Sequence, residues 1–291
     1  MCVCEGGVTT VGRAGRCAPA HPTRHQSERV FLWGGRVAAL PVNPDSCAPY
    51  PLSRPTLRAT HSLVRLRSVD ESLERLGLDF VDLIQCHDME FVSLDQIVNE
   101  TLPALLELKK RGKVRFIGIT GLPLKIFKYV LDRAPAGSVD CVLSYCHYTM
   151  LDDTLDELIP YLQSKNVGII NASPLCMGLL TRRGPPSWHP APAEVLQAAA
   201  AATSVADEAG VDIADVALRY SLKNDKIATT LVGMCTPQQV EENCNATLMA
   251  LREAGKDDTD GDVVADVAAR VTELFRPVHN VTWPSGLTEN N

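Results

Sequence analysis

Five short apolar runs, each followed by a segment with helical apolar spacing, constrain this chain more than any other feature of its sequence. They are FVDLIQCH (80–87), VRFIGIT (114–120), CVLSYCHY (141–148), GIINASP (168–174) and IATTLVG (227–233). Each has strand length and is almost continuously apolar, the pattern of parallel strands covered on both faces. The first four begin near residues 81, 114, 141 and 168, intervals that suit βα units joined by right-handed crossovers. No G-x-G-x-x-G follows any of the runs, which disfavours a doubly wound dinucleotide fold and favours an α/β architecture of the (β/α)8 TIM barrel type.

The intervening segments read as helices. SVDESLERLGL (68–78) places Val69, Leu73, Leu76 and Leu78 on one stripe, with Ser68 as N-cap and Glu71 completing a capping box. A helix opening at Ser93 ends in LKKRGK, where basic residues face the negative end of the helix dipole and Gly112 serves as C-cap. Further helices are expected over 122–133, 153–165, 193–209, 212–222 and 236–251.

A closed barrel needs eight strands, so three would have to come from residues 1–67. Only FLWGGRVAALPV (31–42) looks strand-like there, and typical repeat lengths call for roughly 90 residues. The front also differs in composition. Residues 1–60 hold seven arginines against Glu5, Glu28 and Asp45, a net of +4, which leaves −11 for the remainder of a chain whose total is −7. Seven of the nineteen prolines fall in the same stretch, and the first lysine in the sequence is Lys109. Residues 1–66 are therefore read as an atypical segment, disordered or non-native, and 67–287 as the barrel domain carrying strands four to eight, with the barrel incomplete at its N-terminus. The arginine-rich, acid-poor start shares the bias of organelle transit peptides, but it has few serines and no clear amphipathic helix, so a cytoplasmic location is the expectation.

The net charge of −7 argues against a nucleic-acid partner. No apolar stretch approaches the roughly 18 residues a spanning helix needs, so no membrane role is expected. Ten cysteines are scattered without a CxxC pair, which suggests reduced thiols and no metal site.

Parallel barrels carry their chemistry at the C-terminal ends of the strands. Those ends hold His87, Thr120, Ser144 with Tyr145, Asn171 with Ser173, and Gly233. His87 suits a neutral imidazole donating a hydrogen bond to a substrate oxygen, or a buried histidine bonded to the backbone. Ser144 suits a carboxamide or hydroxyl ligand, or a locally bonded strand serine. ASPLCMGLLT (172–181) is either a loop wrapping a ligand or an ordinary βα turn. In VGMCTPQQVEEN (232–243) Thr236 caps a helix with Pro237 at its first position, an arrangement that favours an anionic phosphate but also fits any capped surface helix. Between Gly233 and Asn243 there is no Lys or Arg, while Glu241 and Glu242 would repel a 2′-phosphate. If a dinucleotide binds, NAD is expected over NADP.

Taken in order, SVDESLERLGLDFVDLIQCHD, LKKRGKVRFIGIT, ASPLCMGLLT and LVGMCTPQQVEEN resemble the aldo-keto reductases, and among them the L-galactose dehydrogenases, over about residues 67–287. The resemblance implies a (β/α)8 barrel binding an extended nicotinamide dinucleotide, a tetrad of Asp, Tyr, Lys and His, and oxidation of C1 of L-galactose to the galactonolactone on the route to ascorbate. It gives His87 the histidine's place, orienting the substrate oxygen. It puts Ser144 where many members hold the carboxamide with Asn, and Ala172 where many stack a Tyr on the nicotinamide. Ser173 and Leu175 match the pyrophosphate-side loop. Gly233, Thr236, Gln239, Glu242 and Asn243 match the adenosine end, with Gln239 in place of the Arg common in NADP-dependent members. The implied partner is a small sugar, and the implied assembly a monomer or weak homodimer. Trp283 would stack on the sugar or pack on the barrel.

The front departs from this pattern. Asp45 and Tyr50 keep the Asp-x4-Tyr spacing, but Tyr50 lies too close to His87 for the intervening strands, and no lysine precedes His87. Without an adjacent ammonium a phenol is a poor base at neutral pH, and losing general acid–base catalysis costs roughly 10²–10⁴-fold. The alternative expectation is therefore a catalytically impaired, truncated relative that at most binds NAD.

Overall fold

A computed structural model describes residues 10–11, 30–33, 61–253 and 263–291. Among the described residues seven strands form one sheet. They are β1 (Thr10–Val11), β2 (Val30–Trp33), β3 (Val81–Cys86), β4 (Val114–Gly121), β5 (Cys141–Tyr145), β6 (Gly168–Ala172) and β7 (Thr229–Leu231), in spatial order β1-β7-β6-β5-β4-β3-β2. The run β3 to β7 is parallel and sequential, as the spacing predicts, with Gln85 opposite Gly118, Gly121 opposite Ser144 and Asn171 opposite Thr230. These five strands form a curled half-barrel. Only short strands flank it among the described residues: β2 runs parallel to β3 and overlaps the strand-like stretch read at the front, and β1 pairs antiparallel with β7.

Among the described residues nine α-helices accompany these strands: α1 (His61–Leu76), α2 (Leu94–Gln96), α3 (Leu102–Lys110), α4 (Lys125–Arg133), α5 (Leu155–Ser164), α6 (Ala193–Glu208), α7 (Ile213–Ser221), α8 (Pro237–Glu253) and α9 (Val263–Phe275). Alternate strand residues point to the helices, because side chains on a strand reverse face at every step. Ile84, Ile117, Ile119, Val142 and Ile169 thus join Leu102, Leu105 and Leu108 of α3, Ile126 and Phe127 of α4, and Leu155 and Ile159 of α5 in one buried cluster. Each such side chain contributes about 1.5–3 kcal/mol through burial. A second cluster packs Val195 and Ala199 of α6, Ile213 and Val216 of α7, and Val267, Val271 and Phe275 of α9 beneath Cys176, Leu179 and Trp283.

Three local expectations are corrected. α1 begins at His61, so Ser68 lies inside the helix and its carbonyl accepts a hydrogen bond from Ser72 Oγ; the capping-box reading of 68–71 does not hold. α2 and α3 are joined through a π-helical stretch, Ile97–Thr101, which a strict 3.6-residue stripe does not reveal. α9 was not anticipated, although Val263, Val267, Val271 and Phe275 repeat at helical spacing. The stop at Gly112 holds: it has φ 71°, and Lys113 N–H donates to Leu108 O at 3.0 Å, closing α3.

Candidate active site

The C-terminal ends of β3 to β7 open into a cavity of about 780 Å³, a size suited to a small organic ligand with part of a cofactor. Strand parity decides which residues reach it. Leu143 and Tyr145 of β5 line the cavity, as do Thr120 of β4, Ala172 of β6 and Leu231 of β7. Ser144, between two inward residues, faces the helices. It is fully buried and lies outside the cavity wall, and its Oγ has no hydrogen-bond partner among the described residues. Ser144 is therefore not brought to the cavity with the other expected cofactor residues. Asn171 faces the same way and donates through Nδ2 to Tyr148 O.

One wall is titratable. His87 leaves β3 into the cavity and is half-buried, with Nδ1 3.2 Å from Asp88 Oδ2. Asp88 turns through a left-handed conformation, φ 50°, which lets its N–H donate to Thr120 Oγ1 at 2.8 Å. Burial holds the His87 pKa below the ordinary imidazole value against an opposing pull from the Asp88 carboxylate, so the ring is neutral at physiological pH. Glu90 is 2% exposed, and burial raises its carboxyl pKa, reinforced by Asp88. Tyr145, also in the wall, is pushed up chiefly by burial. No lysine or arginine lines the cavity among the described residues. Trp283 forms another part of the wall, is 7% exposed, and meets His189 edge-on with ring centroids 5.0 Å apart. Trp283 thus packs into the second apolar cluster and also faces the cavity.

The opposite wall carries no formal charge among the described residues. Ser173, Leu175, Met177 and Gly178 come from the loop after β6, in which Ser173 and Met177 take left-handed backbone (φ 59° and 53°) and Ser173 Oγ accepts from Met177 N–H at 2.9 Å. Gly233, Met234, Cys235 and Gln239 come from the β7–α8 junction. A Cβ on Gly233 would meet nothing within 4 Å, so open space lies where a side chain would stand. The first turn of α8 holds no acidic residue, leaving its positive dipole end uncompensated. Thr236 Oγ1 accepts from Gln239 N–H at 3.2 Å, bearing out its capping role, and Gln239 Oε1 accepts from Cys235 N–H at 2.7 Å. Glu242 accepts from Gln238 Nε2 and the Asn243 carbonyl accepts from Thr247 Oγ1; both residues, like Thr236, sit on or beside α8 outside the cavity wall. The structure therefore brings His87, Ser173, Leu175, Gly233 and Gln239 to one cavity, with Thr236 just before the adjoining helix and Glu242 and Asn243 on it. Asp45 and Tyr50 lie outside the described residues.

Sequence reasoning passed over Glu90 and His189. The signal for Glu90 was an acid three residues after the strand-end histidine, in a stretch (HDMEF) that otherwise reads as loop. This backbone-lined wall opposite a titratable one suits an extended anionic cofactor beside a small polar substrate.

A model of the aldo/keto reductase family matches residues 62–257. The chain is 55% identical over 224 residues to the L-galactose dehydrogenase of Arabidopsis thaliana, an alignment covering 77% of this chain and 68% of that protein. It is 34% identical over 162 residues to the D-arabinose 1-dehydrogenase of Saccharomyces cerevisiae, covering 53% of this chain and 48% of that one. Among solved structures, the holo form of aldo-keto reductase AKR11C1 from Bacillus halodurans superposes with a TM-score of 0.54 at 24% identity, covering 77% of this chain and 69% of that chain, a likeness of fold. The chain thus spans from about half to about two thirds of the length of these relatives.

Proposed function

We propose, from the premise that this chain belongs to the aldo/keto reductase family, that it is an NAD-dependent sugar dehydrogenase. It would oxidise C1 of L-galactose to the galactonolactone, the step on the route to ascorbate. The observation that carries this reading is the 55% identity to a plant L-galactose dehydrogenase across 77% of the chain. When bound, the nicotinamide supplies a hydride acceptor. The chain's own residues handle the sugar and the proton. His87 is neutral, and with Nδ1 engaged by Asp88 its Nε2 is the nitrogen left for the C1 hydroxyl. Ser173, Gly233 and Gln239 would hold the dinucleotide's phosphates and adenosine through hydroxyl, backbone and amide groups.

Preference for NAD over NADP rests on charge. Arg182, which feels the Glu242 carboxylate, is committed to Asp207 at 2.7 Å and Asp212 at 3.3 Å. A 2′-phosphate beside Glu242 would thus meet a guanidinium already paired with two carboxylates. This reading is of a cytoplasmic protein, a monomer or weak homodimer, acting on a small sugar.

A second reading, favoured by the absence of a lysine from the described cavity wall and by the raised Tyr145, is a protein that binds NAD without turnover. Steady-state NADH formation from L-galactose, paired with fluorescence titration of NADH binding, separates the two. Turnover supports the dehydrogenase; saturable binding with no turnover supports the second reading; neither rejects both.

A further inference from the structure

We propose that the segment from Trp283 to Asn290 is a strap closing the substrate side of the cavity, and that Glu90 is the positioning residue that holds it there. The consequence for sugar affinity rests on the dehydrogenase reading above; the strap itself does not.

Trp283, Pro284, Ser285 and Gly286 all line the cavity, close in space to the loop that carries His87 and Glu90. Glu90 is the point on which this segment converges. Its Oε1 accepts from Ser285 Oγ at 3.1 Å and from Leu122 N–H, just past β4, at 3.1 Å. Its carbonyl accepts from Leu287 N–H at 2.9 Å and from Asn290 Nδ2 at 2.8 Å, and the same Nδ2 reaches Val92 O at 2.9 Å. Asn290 is buried, so these bonds are shielded from water. Gly286 fits only as glycine: its φ is +82°, and a Cβ would collide with the Glu90 carbonyl. One carboxyl thus joins Leu122, just past β4, to Ser285 of the strap.

The anchoring is polar and local, unlike the apolar cores under the helices. An element held this way opens at a lower free energy than the fold as a whole. At its other end Trp283 is held by the His189 ring and by the second apolar cluster. Loosening residues 285–290 would therefore leave the tryptophan attached while opening the wall beside it. The uncharged cofactor wall, Ser173 to Gly178 and Gly233 to Gln239, shares none of these bonds. Loss of the anchor should weaken sugar binding and leave cofactor binding alone.

The geometry also says which feature of Glu90 matters. Oε1 does the bonding, while Oε2 is buried beside Gly121 without a hydrogen-bond partner among the described residues. A neutral amide that presents its oxygen at Oε1 satisfies the same donors, so the anchor does not need the charge.

Hydrogen–deuterium exchange on the full chain, read over residues 285–291, tests the strap without requiring turnover. In Glu90→Ala, which removes the carboxyl's bonds to Ser285 and Leu122 and keeps those to the carbonyl, exchange there should rise about threefold or more, and the KM for L-galactose should rise by a similar factor. In the same variant NADH affinity should hold. Gly286→Ala should reproduce both changes with Glu90 intact, Ser285→Ala should move them in the same direction by less, and Glu90→Gln should retain protection. The proposal is overturned if strap exchange in Gly286→Ala and Glu90→Ala equals that of the unmodified chain, or if Glu90→Gln is as damaging as Glu90→Ala. Should Glu90→Ala fail to fold, Ser285→Ala and Gly286→Ala decide alone. A chain that oxidises no sugar ends the catalytic reading, and exchange then supports or overturns the strap by itself.

Discussion

On one side of the cavity Ser173, Leu175, Gly233 and Gln239 offer backbone, hydroxyl and amide groups with no formal charge, whereas on the other His87, Asp88 and Glu90 crowd titratable side chains into a single turn after β3. Both walls sit on strand ends of the same sheet, so the scaffold does not account for the difference. An extended anionic ligand needs many weak, oriented donors and no repulsion, which left-handed loop residues and a helix start provide. Proton handling needs a few groups whose ionisation is tuned by burial, which the turn after β3 provides.

If the walls divide the work in this way, damage to them should separate cleanly. The largest effect is expected for His87→Ala, which should lower kcat/KM for L-galactose by roughly 10²–10⁴-fold while NADH affinity stays within about twofold. Joint loss of cofactor binding would break the division.

Next in size are the apolar supports. Phe127→Ala under the titratable wall and Phe275→Ala under the uncharged wall should each cost about 3–5 kcal/mol of unfolding free energy in urea titrations, since both rings are fully buried. Only Phe275→Ala should also weaken NADH binding at temperatures where both variants remain folded, because its cluster contains Cys176 and Leu179 of the cofactor loop. Equal effects on binding would merge the two walls into one unit.

Gln239→Arg should shift the ratio of NADP to NAD affinity roughly tenfold toward NADP by adding a charge-assisted donor. An unchanged ratio would place the adenosine end away from α8.

The smallest effect is in the pH profile. Because burial depresses the His87 pKa, the acid limb of kcat/KM should fall below the free-imidazole value of about 6.5, and His87→Gln should remove that limb from any residual rate. The same depression means that the histidine resists protonation in the fold, so this site's contribution to stability is lost as pH falls from the unfolded value through the lowered one. An acid limb above 6.5 would contradict the burial argument.

The parallel strands were legible because both faces are covered, which writes an unbroken apolar run into the sequence. The strand ends followed, and with them His87, Ser173 and Gly233. Register was the weak link. Ser144 and Tyr145 are neighbours in sequence, but a strand sends them to opposite faces, and Leu143 and Ala172 in the inward phase would have shown which one reaches the cavity. The beginning of α1 was misplaced because Ser68 and Glu71 imitate a cap in a helix that had already started. Glu90 went unremarked because its importance comes from partners near residue 285, a contact that no local pattern encodes.

The central claim is that this cavity passes hydride from sugar C1 to a nicotinamide. L-galactose carrying deuterium at C1, incubated with the purified chain and NAD, tests it most directly by mass spectrometry of the coenzyme. The account predicts reduced coenzyme carrying the label, at a rate slowed by an isotope effect and abolished with the His87→Ala change. Saturable NAD binding with unlabelled, unreduced coenzyme after prolonged incubation would contradict it.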